Sequence, residues 1–113
     1  MKELPRHKIR RALEQEDYKA LAQLCLELLG VDSWAEGWRK MEEIVERSGE
    51  YVLAKFLALA YALSRDEIYS ALSSATREFL ARDVVVCLEK TAQVIGALSQ
   101  QEDFGDIRGR PAA

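Results

Sequence analysis

The chain has 113 residues, of which 49% are hydrophobic and 31% charged, and a formal net charge of −3. These values fit one folded, water-soluble domain and argue against a protein that binds nucleic acid over its whole surface. The opening residues contain no apolar signal-peptide core, and the longest apolar run, residues 51–63, is shorter than a membrane span of about 20 residues. We therefore expect a cytoplasmic protein without a membrane segment.

The first helix is predicted to begin at Pro5. A proline suits the first turn because its fixed φ is helical and its missing N–H is not needed there. Ile9 and Leu13 give this helix an apolar stripe. Residues 14–17 are all polar, which favours a break after the first helix, and one helix that continues through them is the alternative.

The second helix is predicted to extend from Tyr18 to Leu29. Asp17 stands directly before it and can accept a hydrogen bond from a free N–H of the first turn. Gly30 follows the last apolar residue and adopts a left-handed backbone at little cost, so we expect the helix to end there.

The third helix is predicted to begin at Ser33 and to end at Gly49. Ser33 and Glu36 form a capping box, in which each side chain satisfies a backbone N–H at the start of the helix. An apolar stripe with helical spacing follows, made of Trp34, Trp38, Met41 and Val45. This spacing places the four side chains on one face of the helix.

Residues 51–63 are predicted to form a fourth helix at the centre of the fold. They are apolar on almost every side, and Lys55 is the one charged residue among them. Because a helix without a polar face is normally surrounded by others, we expect this helix to contact most of its neighbours.

Two further helices are predicted after the central one. Ser64 and Glu67 form a second capping box at the start of the fifth helix, and Asp83 is the predicted cap of the sixth. The apolar stripe of the fifth helix is Ile68, Leu72, Ala75 and Phe79, and that of the sixth is Val84, Cys87, Leu88, Thr91, Val94, Ile95 and Leu98. Residues 100–113 lose this periodicity and contain two glycines and a proline, so they are predicted to form a flexible tail.

The predicted fold class is all-α. No segment shows the two-residue alternation of a strand, and the connections between helices are about two to four residues long. We expect a compact orthogonal or antiparallel bundle of five or six short helices, with the apolar helix of residues 51–63 at its centre. Residues 1–99 form the single domain of this bundle, and residues 100–113 form the tail.

The chain carries no recognisable catalytic, cofactor or metal motif. Cys25 and Cys87 are far apart in sequence and lie among apolar residues, so we expect two buried free thiols rather than a zinc site. The one histidine, His7, has no acidic residue nearby in sequence that is placed to orient it as a general base. We therefore expect a protein that is not an enzyme and needs no cofactor.

A row of acidic residues lies on the predicted third helix and continues just past its end. Its members are Glu42, Glu46 and Glu50, spaced four residues apart. A hard-cation site normally converges from more than one segment, so we interpret this row as a solvated helix edge and expect no metal.

The basic start of the chain is a candidate partner-binding surface. Arg6 and Arg10 form one row on the first helix, and Lys8 and Arg11 form a second row beside it. Positive charge at a helix N-terminus opposes the helix dipole, at a cost of about 0.3–1 kcal/mol. The surface is interpreted either as a docking face for acidic groups or phosphates, or as ordinary solvated surface.

Two other features are candidate contacts. Trp34 and Trp38 share a helix face, and tryptophan is enriched in binding hot spots, although core packing is the favoured interpretation. Ala92 and Gly96 are small residues four positions apart in the sixth helix. They favour close approach of another helix, from this chain or from a partner, because a glycine inside a helix otherwise costs about 1 kcal/mol relative to alanine.

The segment 64–80 weakly resembles a helix–turn–helix, in which a capped helix and a turn precede a recognition helix that enters the major groove of DNA. The matching positions are Ser64, Ile68, Leu72 and Thr76–Arg77. Ser73 stands where the turn glycine is expected, and Ser74 replaces an apolar anchor. One uninterrupted amphipathic helix is the alternative interpretation of this segment.

These features together predict a non-enzymatic protein–protein interaction module, or a small helical subunit of a larger assembly, that binds a protein partner or itself. A nucleic-acid-associated protein that uses the basic helix or the segment 64–80 is the alternative, and it includes a small subunit of a nucleoprotein complex. An enzyme or ligand carrier with an unrecognised site is the third class.

Overall fold

The computed structural model consists of six α-helices. The structure describes the backbone of residues 4–109 and the side chains of residues 4–100. The helices are α1 (Arg6–Glu14), α2 (Tyr18–Leu29), α3 (Trp34–Ser48), α4 (Val52–Ser64), α5 (Asp66–Ala71) and α6 (Ser74–Gly109). No strand occurs in the described part of the chain. The predicted all-α bundle is confirmed, although α6, with 36 residues, is not a short helix.

Helix α4 is the centre of the fold, as its apolar sequence predicts. It contacts α2, α3, α5 and α6. Four of its side chains are completely buried: Leu53, Leu57, Ala60 and Leu63. Helix α2 packs against both α4 and α6, while α3 contacts all three and α1 packs on α2. The core therefore lies between α2, α4 and α6.

The polar segment after α1 breaks the chain, which is the favoured of the two predicted alternatives. Helix α1 ends at Glu14, and Glu16 adopts a positive φ of 54°. The Asp17 side chain accepts a hydrogen bond from the backbone N–H of Ala20 at 3.1 Å. Asp17 is therefore the N-terminal cap of α2, as predicted.

The apolar stripe of α1 differs from the predicted one. Ile9 and Ala12 are the buried residues of the helix, while Leu13 is 38% exposed. Helix α1 packs mainly against α2, so a narrow face of α1 is covered and Leu13 lies at its edge.

Both predicted ends of α3 are confirmed. The Ser33 hydroxyl accepts a hydrogen bond from the backbone N–H of Glu36 at 3.2 Å. Gly49 ends the helix with a φ of 75°, and Gly30 ends α2 in the same way with a φ of 73°. Glycine is favoured at both positions because a Cβ is strained in this left-handed region.

Gly37 is a close helix contact that the sequence analysis missed. It is buried within α3, and a Cβ at this position would lie 2.9 Å from Cδ2 of Leu26. The absence of a side chain at Gly37 therefore lets α3 approach α2 closely. The available signal was a glycine inside a well-capped helix, where it costs about 1 kcal/mol relative to alanine.

The predicted cap at Ser64 is wrong. Ser64 is the last residue of α4, and its hydroxyl donates a hydrogen bond to the backbone oxygen of Tyr61 at 2.6 Å. Helix α5 instead follows Arg65, whose side chain makes no cap hydrogen bond. A serine hydroxyl can bond either to an N–H ahead or to a carbonyl behind it, so the local pattern does not decide which helix it serves.

The prediction that Asp83 begins the sixth helix is also wrong, because the chain breaks earlier, at Leu72 and Ser73. Leu72 has an extended backbone with a ψ of 144°. The Ser73 hydroxyl accepts a hydrogen bond from the backbone N–H of Thr76 at 3.2 Å and caps α6. No glycine or proline lies between residues 74 and 83, so the helix continues past Asp83.

The predicted stripe of the fifth helix does not face the core. Leu72 packs against the core, but Ile68 is 41% exposed, Phe79 is 66% exposed and Ala75 is also exposed. The four positions share a face only in a continuous helix, and the break after α5 removes that relation. The buried set predicted for the sixth helix is correct except for Ile95, which is half-buried.

The predicted tail of residues 100–113 overlaps the end of α6. The backbone is helical through Gly109, so the loss of apolar periodicity at residue 100 does not mark the end of the helix. The side chains of residues 101–109 and the whole of residues 110–113 lie outside the described part of the structure. The flexibility of the tail stays a prediction.

Candidate functional site

The basic face of α1 is formed by Arg6, Arg10 and Arg11. All three side chains are exposed, because Ile9 and Ala12 turn the opposite face of the helix towards the core. The three arginines have no carboxylate partner among the described residues. Guanidinium groups keep five donors and a permanent charge, so this face can form charge-assisted hydrogen bonds with carboxylates or phosphates.

Lys8 does not belong to this free set, although the sequence analysis placed it there. Its ammonium lies 2.7 Å from a carboxylate oxygen of Glu27 and ties α1 to α2. Other cations of the bundle also have carboxylate partners: Lys19 with Asp66, Lys40 with Glu43, Arg82 with Glu78, and Lys90 with Glu50. Arg39 on α3 and Lys55 on α4 are also exposed and have no carboxylate partner among the described residues, so the α1 arginines are distinguished by their grouping on one short helix.

The two tryptophans of α3 pack against the core. Both are half-buried, and the Trp34 ring meets Tyr61 of α4 edge-on, with centroids 5.4 Å apart and an interplanar angle of 78°. Such edge-to-face pairs stabilise helix packing, so Trp34 contributes to the α3–α4 contact. Trp38 keeps a partly exposed edge, and its role in binding a partner stays a prediction.

The small residues Ala92 and Gly96 lie in the part of α6 that contacts the bundle. Ala92 is half-buried and packs against the core, and Gly96 is half-buried. Helix α6 contacts α2, α3 and α4, which supports a helix of this chain as the neighbour of Ala92. Whether Gly96 meets a partner stays a prediction.

The segment 64–80 does contain a helix, a break and a second helix, but its basic side chain is engaged within the chain. The Arg77 Nε donates a hydrogen bond to the backbone oxygen of Tyr69 at 2.8 Å, and the guanidinium lies 4.2 Å from the centre of the Tyr69 ring. Lys19 lies over the same ring and pairs with Asp66. These contacts fix the start of α6 on α5 and occupy Arg77, a cation that DNA recognition would require.

The thiols of Cys25 and Cys87 meet inside the core, on α2 and α6. Both are free and are only 3% and 2% exposed. They line an interior cavity that is too small for a water molecule, together with Met41 and Leu57. The hydrogen bond between the two thiols, together with burial, raises the pKa of Cys25 well above its ordinary value, and the same bond lowers the pKa of Cys87.

These two cysteines are therefore part of the packing. The Cys87 sulfur lies 3.7 Å from the hydroxyl oxygen of Thr91, which gives the buried hydroxyl a polar neighbour. A thiol acts as a nucleophile only as an accessible thiolate, and neither sulfur is accessible in this arrangement. Their proximity could not be read from the sequence, because 61 residues separate the two positions.

The acidic row of α3 does not converge on a common point. Glu42 and Glu46 are exposed, and a carboxylate oxygen of Glu50 lies 3.6 Å from the ammonium of Lys90. Within the described residues, no group of three or more histidine, cysteine, aspartate or glutamate side chains is placed to hold a metal ion. His7 is exposed beside the arginines of α1.

The outer face of α6 is a further surface that the sequence analysis missed. Phe79 is 66% exposed and Val86 is 52% exposed, and they lie seven residues apart on one side of the helix. The predicted stripe had assigned Phe79 to the core. The available signal was the seven-residue spacing of Phe79 and Val86. In one continuous helix this spacing places both side chains on a face away from the predicted apolar stripe of residues 84–98.

Comparison of the chain with known protein families, curated proteins and solved structures finds no significant match. No helix in the described part of the chain is both long enough and apolar enough to cross a membrane.

Proposed function

We propose that this protein is a non-enzymatic protein-binding module, or a small helical subunit of an assembly, that works in the cytoplasm. Its contact surface is the basic face of α1, and its partner is a protein surface rich in carboxylates. The observation that carries the proposal is the exposure of three neighbouring arginines without a carboxylate partner among the described residues.

The position of these arginines supports a role in binding rather than in folding. They add nothing to the buried face of α1. Arg6 lies in the first turn, where its charge opposes the helix dipole, while Arg11 lies in the last turn, where the dipole favours it, so the three charges bring little net stability to the helix. Binding to carboxylates would give these charges a partner in the complex and would speed association through long-range attraction.

A protein partner fits the surroundings of the arginines better than nucleic acid does. Glu14 lies on α1 beside Arg10 and Arg11, and Glu16 and Asp17 follow directly after the helix. The whole chain has a net charge of −3. A continuous phosphate backbone would meet these carboxylates as well as the arginines, whereas a protein surface can place opposite charges against both.

The test compares two triple variants of the full chain. Arg6→Gln, Arg10→Gln and Arg11→Gln remove the basic face, while Arg39→Gln, Lys40→Gln and Lys55→Gln remove three exposed cations elsewhere. Both variants lose the same net charge. The probes are a fluorescent glutamate-rich peptide and a duplex DNA of equal charge, titrated at several salt concentrations.

We expect the peptide to bind the parent protein, with an affinity that falls as salt is added. The α1 variant should bind the peptide about tenfold more weakly, because three exposed ion pairs together contribute roughly 1–2 kcal/mol. The control variant should bind nearly as well as the parent. An equal loss of peptide affinity in both variants would mean that only net charge matters and that the basic face of α1 has no specific role. Tighter binding of the DNA than of the peptide would contradict a protein partner and favour nucleic acid.

A further inference from the structure

The outer face of α6 is apolar at its centre and charged along both edges. Phe79 and Val86 form the centre, and the neighbouring Ala75, Gln93 and Ala97 on the same face are also exposed. A single long helix that leaves a phenylalanine and a valine in water, two turns apart, presents a surface of the kind that marks protein contacts. Between residues 81 and 98 the opposite face of the same helix is buried, with Val84 and Leu88 at most 1% exposed.

The charged residues at the two edges of this face follow an alternating pattern. Arg82 and Glu89 lie along one edge, seven residues apart, and Asp83 and Lys90 lie along the other edge with the same spacing. Seven residues of helix span about 10 Å, so the two charges of one edge cannot bond to each other. Between residues 82 and 90 each edge therefore has one positive and one negative end, in opposite order on the two edges. Both cations also have a partner in their own chain, since Arg82 pairs with Glu78 at 2.9 Å and Lys90 with Glu50 at 3.6 Å. Such exposed pairs contribute little and can exchange for contacts to another molecule.

We propose that the outer face of α6 is a self-association surface, on which the same face of a second copy packs antiparallel around Val86. In an antiparallel pair of helices each edge meets the same edge of the other copy. Arg82 then faces Glu89 of the second copy, and Asp83 faces Lys90 of the second copy. A two-fold axis repeats both contacts, so Arg82 and Lys90 each gain a carboxylate of the second copy beside the exposed partner in their own chain.

The exposed start of α4 fits the same arrangement. Tyr51 is 73% exposed and Val52 is 43% exposed, and the ion pair between Glu50 and Lys90 holds this segment beside α6. Because the Lys90 end of one edge lies opposite the Asp83 end in the second copy, Tyr51 and Val52 lie at the same end of the contact as Phe79 of that copy. The contact would then cover four of the six large apolar side chains that are exposed among the described residues: Tyr51, Val52, Phe79 and Val86.

This inference is independent of the basic face of α1, which lies on a different helix. The first test is the solution mass of the full chain by sedimentation and light scattering over a series of protein concentrations. The single chain has a mass of 12.8 kDa, and the pair has twice that mass. Val86→Glu should dissociate the pair, so that the measured mass is that of the monomer. Gln23→Glu, at an exposed position on α2, should leave the pair intact.

The decisive test exchanges the charges of one edge. Arg82→Glu alone should weaken self-association about tenfold, because it turns two attractive contacts of the pair into repulsive ones. Glu89→Arg alone should do the same, and the double variant should recover the parent association. The two positions cannot bond within one helix, so recovery requires the antiparallel contact between copies.

Circular dichroism of each variant checks that the bundle stays folded, which the exposure of all these positions leads us to expect. The proposal would be overturned if the parent protein had the mass of the monomer at every concentration. A pair that survives Val86→Glu would also overturn it, as would a double variant that associates no better than the two single variants.

Discussion

Helices α4 and α1 differ in how they depend on the rest of the fold. Helix α4 is enclosed by four other helices and completely buries four side chains, while α1 packs mainly on α2 and buries only Ile9 and Ala12. Burial of apolar surface contributes about 25 cal/mol per Å², so α4 contributes far more to folding than α1 does. The freedom of α1 from packing is also what leaves its arginines available for binding.

The largest effect in this comparison is expected from truncation of Leu57 at the centre of α4. Leu57 is completely buried, so Leu57→Ala should lower the free energy of unfolding by about 2–5 kcal/mol, as measured by chemical denaturation. Leu13→Ala on α1 is the matched control, because Leu13 is 38% exposed, and it should cost less than about 1 kcal/mol. Equal effects at the two positions would show that α4 is not the core of the bundle.

The second test concerns α6, which is buried like α4 on one face and exposed like α1 on the other. Ser73→Ala removes the side-chain oxygen that accepts a hydrogen bond from the N–H of Thr76, and it should destabilise the protein by about 1 kcal/mol. Ser64→Ala is the control, because the Ser64 hydroxyl bonds back to the carbonyl of its own helix. We expect a smaller loss there, within about 0.5 kcal/mol.

Denaturation of both serine variants decides between the two positions of the helix start. A larger loss at Ser64 than at Ser73 would restore the boundary that the sequence pattern indicates. It would also mean that Ile68 and Phe79 lie in one continuous helix.

The elements of the first half of the chain were predictable because local chemistry decides them. Asp17, Gly30, Ser33 and Gly49 stand at helix ends, and each acts through its own backbone or through residues two to four positions away. The central place of α4 was predictable for a different reason, since an apolar surface on nearly every side has to be covered.

The second half was less predictable because several local patterns compete there. Ser64, Ser73 and Asp83 are all acceptable caps, and the choice between them depends on how Leu72 reaches the core and how Arg77 bonds to Tyr69. Those contacts exist only in the folded chain. The same holds for the meeting of Cys25 with Cys87, and for the pairing of Lys8 with Glu27.

The basic face of α1 was predictable in outline, because charge and helical spacing place its residues on one surface. The sequence could not show that Lys8 is paired while Arg6, Arg10 and Arg11 are not, since the partner of Lys8 lies on another helix. An exposed charge without a neighbour of opposite sign loses no ion pair when it binds a partner. Which charges have such a neighbour is decided by the whole bundle.

The smallest expected effect is on the stability of α1 itself. Replacing Arg6, Arg10 and Arg11 by glutamine removes one charge that opposes the helix dipole, Arg6 in the first turn, and one that the dipole favours, Arg11 in the last turn, and it leaves the buried Ile9 and Ala12 in place. We expect these two effects to cancel, so that the free energy of unfolding stays within about 0.5 kcal/mol of the parent value. Lys8→Gln is the contrasting variant, because it breaks the ion pair with Glu27 and should lose up to about 1 kcal/mol.

A loss of stability in the Lys8 variant alone, measured by denaturation, would separate the lysine that joins α1 to α2 from the arginines that contribute little to the bundle. A clear loss of stability in the arginine variant would mean that the arginines support the fold. The proposed binding surface would then lose its main argument, because a residue that the bundle needs is not free for a partner.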